Sequence, residues 1–168
     1  MKTEEIIELS KKLDINFRKF LGQPKSGNDS QVQEETLSYA DLYSDRMVIA
    51  NAIRSGIPYH LFDLIQQLSP FSESEWSRLL DLSVRTLQRY EHVKKSFRPI
   101  HAEKIIEMAE VTKLGLEVFE YNTVHFKLWL DTPSFALGNF KPIDLLSDSY
   151  CKDLVINELT RIEEGIFV

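Results

Sequence analysis

Apolar residues recur three and four positions apart along most of this chain, which is the spacing of helices with one buried stripe. Ile6, Leu9, Leu13, Phe17 and Phe20 form the first such stripe and predict an amphipathic helix from Thr3 to Leu21. Gly22 and Pro24 stop it. Gln23 to Ser38 is polar and holds Pro24, Gly27, Asn28, Asp29 and Ser30, so it reads as a linker or loose arm. The helix before it can dock on the body, dock on a partner subunit or move freely.

Ser44 can cap a helix carrying Met47, Val48, Ala50 and Ile53, which ends at Ser55-Gly56 with Pro58 beyond. A helix with Leu61, Leu64, Ile65 and Leu68 follows. Ser72-Glu73-Ser74-Glu75 is a capping box, in which the serine accepts from the first turn and Glu75 reaches back. The helix it opens turns Trp76, Leu79 and Leu80 inward and breaks at Asp81-Leu82; Ser83 then caps another helix. This order is a helix-turn-helix. In its second helix Leu87 and Tyr90 share one face, leaving Arg85, Thr86, Gln88 and Arg89 for base edges and phosphates.

Pro99 opens a long helix running to about Phe119 with Ile105, Ile106, Met108, Ala109 and Leu116. Asn122 can cap a helix with Phe126, Trp129 and Leu130 that Pro133 terminates. A loop with Gly138 leads to Pro142-Ile143-Asp144-Leu145-Leu146, and a last helix, Tyr150 to Glu164, ends at Gly165 with an apolar face of Leu154, Val155, Leu159 and Ile162. Ile166-Phe167-Val168 is an apolar tail, a feature that often binds something.

A chain of 168 residues, 43% hydrophobic and 27% charged, can bury a real core in one or two small domains. Its net charge of -6 argues against nucleic acid until the charge is placed along the chain. Residues 78–104 hold 7 Lys+Arg against 3 Asp+Glu, and the segments on either side are acidic. The basic block thus coincides with the helix-turn-helix, where Lys94, Lys95 and Arg98 suit phosphates.

No basic leader precedes an apolar core, and no apolar run approaches the roughly 20 residues that span a bilayer, so a cytoplasmic location without membrane contact is expected. Cys151 is the single cysteine, which excludes an intrachain disulfide and a thiolate cluster. His60, His92, His101 and His125 lack metal-site spacing, no nucleophile stands beside an evident base, and no glycine-rich phosphate loop occurs. No catalytic residue, metal or cofactor is expected, and an enzyme is the weakest class.

Phe126-Lys127-Leu128-Trp129-Leu130-Asp131-Thr132-Pro133, Leu137-Gly138, Lys141 to Leu146, Val155, and Leu159 to Gly165, in that order, resemble the toxin-binding domain of the Xre/MbcA/ParS-type antitoxins of bacterial type II toxin–antitoxin systems, and Leu82 to Arg89 is similar to that family's turn and recognition helix. Asn139 stands where the family usually has a second glycine, and the Ser147-to-Tyr150 turn has no glycine. The resemblance covers roughly residues 44–168. It implies a protein that sequesters a toxin, usually a RES-domain enzyme that breaks down NAD, and represses the shared operon. In that setting Trp129, Leu137, Gly138, Arg161, Glu164, Gly165, Ile166, Phe167 and Val168 are expected on the toxin, with the last residues at its active-site cleft.

The expected architecture is all-α, with a helix and linker arm over 1–40, an Xre-like helix-turn-helix domain over 41–119 and a helical toxin-binding domain over 120–168. The expected DNA-binding set is Ser83, Arg85, Thr86, Gln88, Arg89, Lys94, Lys95 and Arg98. A homodimer is expected on operator DNA, since two recognition helices about 34 Å apart read a palindrome that one small module binds weakly. The rival reading is a plain transcriptional regulator whose C-terminal domain dimerises or senses a ligand; a scaffold that no longer binds DNA is a third.

Overall fold

The first stripe forms α1, Thr3–Leu21, in the computed structural model, which describes residues 3–21 and 46–165. The expected linker after Gln23, the Ser44 cap and the Ile166-Phe167-Val168 tail lie outside the described residues. Glu4 and Glu5 in the first turn of α1 and Arg18 and Lys19 in the last complement its dipole. Ile6, Leu13 and Phe17 are buried, and the helix docks on the body. Each such side chain contributes ~1.5–3 kcal/mol by leaving water.

α2 (Arg46–Ser55), α3 (Tyr59–Leu68), α4 (Glu73–Leu79), α5 (Val84–Val93) and α6 (Pro99–Val118) follow. Then come α7 (Thr123–Asp131), a 3-10 turn (Phe135–Leu137), α8 (Pro142–Leu145) and α9 (Ser149–Glu163). The architecture is all-α: among the described residues the extended pairings are two isolated bridges, Ile57 with Phe97 and Ser134 with Phe140. Gly56 carries φ +76°, and a Cβ there would lie 2.3 Å from the Phe97 carbonyl oxygen, so only glycine lets the chain leave α2 and enter the first bridge.

α6 is the organising element. α2, α3 and α9 all pack on it, α9 most extensively, with Ala102, Ile105, Met108 and Val111 wholly buried. Its apolar residues surround it, as expected of a helix covered on most sides. Glu120 and Tyr121, both at positive φ, then reverse the chain, and the Tyr121 N–H caps back onto the Leu116 carbonyl at 2.6 Å. The reversal lays α7 against α6, with the Phe126 ring over Gly115 and within stacking range of Phe119 and Trp129. One hydrophobic core therefore runs from Ile6 through Trp76 and Phe126 to Val155 and Leu159.

The last helix differs from expectation. Val155 and Leu159 are buried and Ile156 and Ile162 half-buried, but Leu154 is exposed because α9 sets its inner face by packing on α6. The 3-10 turn ends with Gly138 at φ +66° and Asn139 at φ +63°, a conformation asparagine tolerates better than most residues. Residues 147–150 turn without any positive φ.

Candidate nucleic-acid interface

The helix-turn-helix is built by α4, its turn and α5. Trp76 is fully buried, edge-on to Phe62 and Phe71, and its indole N–H donates to the Ser69 hydroxyl at 3.0 Å. The capping box forms as the sequence predicts: the Glu75 N–H donates to Ser72 Oγ at 3.3 Å and the Ser72 N–H to Glu75 at 2.7 Å. Asp81 takes a left-handed conformation at φ +51°, which an aspartate accepts at modest cost. Ser77 holds the turn from inside, its hydroxyl donating to the Leu82 carbonyl while its own carbonyl accepts the Leu82 N–H at 2.9 Å.

Ser83 caps α5 by accepting the Thr86 N–H at 3.1 Å. Leu87 and Tyr90 are buried, Tyr90 stacked on Phe97 with centroids 4.5 Å apart. This seating points Arg85, Gln88 and Arg89 to solvent, and among the described residues neither arginine makes an ion pair. Thr86 is half-buried and its hydroxyl meets that of Ser83 at 2.8 Å, so these two shape the helix start more than they project from it.

Lys95 and Arg98 are exposed beside α5, Arg98 as the N-cap of α6. Lys94 is exposed at the C-cap of α5, and its ammonium lies 4.4 Å from the Tyr59 ring centroid, a cation–π contact that draws the side chain back along the body. Burial, with the nearby carboxylates of Glu91, Asp63 and Glu73, pushes the Tyr59 phenol up to about 12, so the ring stays neutral beneath it. Arg78 counts towards the basic block, but its guanidinium lies 3.6 Å from Asp144.

His101 is buried at the start of α6 with a backbone hydrogen bond to Leu80, and its Nε2 has no hydrogen-bond partner among the described residues. Desolvation, reinforced by Arg98, lowers its pKa against the opposing pull of Leu80 and Asp81. A histidine whose folded pKa is depressed binds its proton better when unfolded, so its contribution is lost as pH falls through its unfolded value of about 6.5. We expect His101→Gln to weaken the fall in melting temperature between pH 7.5 and 5.5; an unchanged slope in thermal melts contradicts this.

The expected toxin-facing residues occupy different depths. Trp129 is half-buried against Phe119 and Phe126, Leu137 is buried, and Gly138 is exposed. Arg161 pairs with Glu158 at 3.3 Å, and Glu164 and Gly165 are exposed at the end of α9. The pattern did not mark Val124, Leu128, Phe135, Phe140 and Tyr150 as exposed apolar side chains of this half, and it put Leu154, which is exposed as well, on the inner face of the last helix. Among the described residues no group of three His, Cys, Asp or Glu is placed to hold a metal, and no helix is long and apolar enough to cross a membrane.

Residues 49–110, spanning α4, the turn and α5, match the model of the antitoxin Xre-like helix-turn-helix domain. That match identifies the segment as an Xre-like helix-turn-helix domain. It is 26% identical over 117 residues to the antitoxin Xre of Photorhabdus laumondii, covering 69% of this chain and 79% of that protein. To the antitoxin Xre of Yersinia enterocolitica it is 24% identical over 120 residues, covering 71% and 81%. A chain of the M. tuberculosis MbcT-MbcA toxin–antitoxin complex aligns over 71% of this chain and 94% of its own, with TM-score 0.47 and 23% identity.

Proposed function

We propose that this Xre-like chain is the antitoxin of a two-gene pair, neutralising a cognate toxin through residues 120–168 and repressing its own operon through the helix-turn-helix of residues 41–119. The observation that carries the repressor half is the outward set Arg85, Gln88 and Arg89 on a helix fixed by the Ser83 cap and the buried Leu87 and Tyr90. Arginine pairs bidentately with guanine and glutamine with adenine, while Lys95 and Arg98 lie where phosphates would pass. A homodimer presents two such helices to the two halves of a palindrome.

The exposed apolar side chains of α7, the 3-10 turn and α9 support the toxin-binding half, since solvent-facing aromatics in such number mark interaction surfaces. Trp129, Gly138, Arg161, Glu164 and Gly165, with the tail, complete the surface we assign to the toxin, a RES-type enzyme that degrades NAD. Leu137 would support it from beneath.

Co-expression with the adjacent gene product tests the reading. The two proteins are expected to co-purify, and the chain to suppress the partner's consumption of NAD. Truncation after Glu164 is expected to weaken suppression and leave DNA binding intact. An adjacent product that neither binds nor is inhibited would overturn the antitoxin role in favour of a plain regulator.

A further inference from the structure

α4 carries two charges one turn apart on its outward face, Glu75 and Arg78, since residues three apart on a helix are neighbours. Each meets an opposite charge from the C-terminal helices: Lys127 of α7 reaches Glu75, and Asp144 of α8 reaches Arg78. The signs reverse between the two contacts. A slip of α4 by one turn in either direction would therefore bring Glu75 towards Asp144 or Arg78 towards Lys127, like charge against like.

The Glu75 carboxylate serves both units at once. Its Oε2 accepts from the Ser72 N–H at 2.7 Å and from the Ser72 hydroxyl at 2.8 Å, closing the cap of α4, while its Oε1 accepts from the Lys127 ammonium. Desolvation alone would raise the Glu75 pKa, but the hydrogen bonds from Lys127 and Ser72 outweigh it and hold the group ionised. Lys127 is steadied in turn by Asp131 at 3.3 Å, one turn on, and α7 is seated by Phe126. From α4 the short turn clamped by Ser77 leads directly into α5.

We propose that Lys127 and Asp144 form a charge clasp that sets the pose of α4, and through the turn the pose of the recognition helix, with Lys127 a positioning residue that does not touch DNA. The proposal rests on the reading of α5 as the DNA-reading helix. It also explains why Arg78, inside the basic block by count, lies against a carboxylate instead of serving a phosphate.

The test uses the full chain and a duplex carrying its own upstream region. Lys127→Met is expected to weaken binding at least about fivefold, the lower end of coupling between sites in one protein. The dependence of affinity on salt should keep its wild-type slope, because no phosphate contact is lost, whereas Arg98→Ala should reduce the slope by about 1. Glu75→Gln keeps a capping-box residue but loses the charge, and should match Lys127→Met; the double variant should be no weaker than either, since both break one interaction. Lys127→Arg should retain affinity. Amide exchange across residues 72–82 should quicken in Lys127→Met.

Wild-type affinity with unchanged exchange in Lys127→Met overturns the clasp, as does a salt slope that falls as in Arg98→Ala, which would make Lys127 a DNA contact. If the wild-type chain does not bind the duplex, the repressor reading fails, and the exchange measurement alone decides the clasp.

Discussion

Replacing Arg85 and Arg89 together by alanine is expected to abolish specific operator binding and leave the protein folded and able to neutralise its toxin. Each bidentate arginine–guanine contact contributes ~1–3 kcal/mol, so losing two amounts to roughly 30-fold to more than 10⁴-fold in affinity. The fold should survive because both side chains are exposed, neither makes an ion pair among the described residues, and alanine is the better helix former. The buried face of α5, Leu87 and Tyr90, is untouched. Mobility shift of the upstream duplex reads the loss, circular dichroism the fold, and rescue of cells carrying the toxin the second role. Retained operator binding would sink the assignment of α5 as the reading helix, and lost rescue by a folded variant would sink the separation of roles.

What could be read in advance was local. Ser72, Glu75, Ser83, Pro99 and Asn122 declare helix starts through chemistry completed within three or four residues, and each start falls where they put it. The outward face of α5 was equally legible, because burial of Leu87 and Tyr90 dictates where their neighbours point. Contacts between helices distant in sequence were not. Glu75 reads as a capping residue and gives no sign that its second oxygen meets Lys127, 52 positions on. Arg78 reads as a cation of the basic block until α8 brings Asp144 beside it. Leu154 fits an apolar stripe as well as Val155 does, and only the packing of α9 on α6 separates them.

Gly115→Ala is the sharpest case of that missing information, because the sequence alone predicts the wrong sign. A glycine inside a helix costs about 1 kcal/mol relative to alanine, so replacing Gly115 in α6 would ordinarily stabilise the protein. Here a Cβ would fall 2.1 to 2.5 Å from three atoms of the Phe126 ring, inside any permitted contact. The ring has nowhere to go: it is fully buried, stacked on Phe119 at 5.7 Å between centroids, with Trp129 at 6.4 Å. Overpacking of this kind costs ~1–3 kcal/mol, and α7 must lift from α6 to relieve it. We expect a lower melting temperature, by roughly 2–4 °C per kcal/mol for a protein of this size. Gly115→Ala with Phe126→Leu should melt above Gly115→Ala alone, since the smaller side chain vacates the space the methyl needs. A single variant as stable as wild type would mean that α7 does not rest on α6 through this ring. The clasp on α4 would then lose its foundation as well, because Lys127 is carried one residue beyond Phe126 and can fix the reading unit only if α7 is itself held.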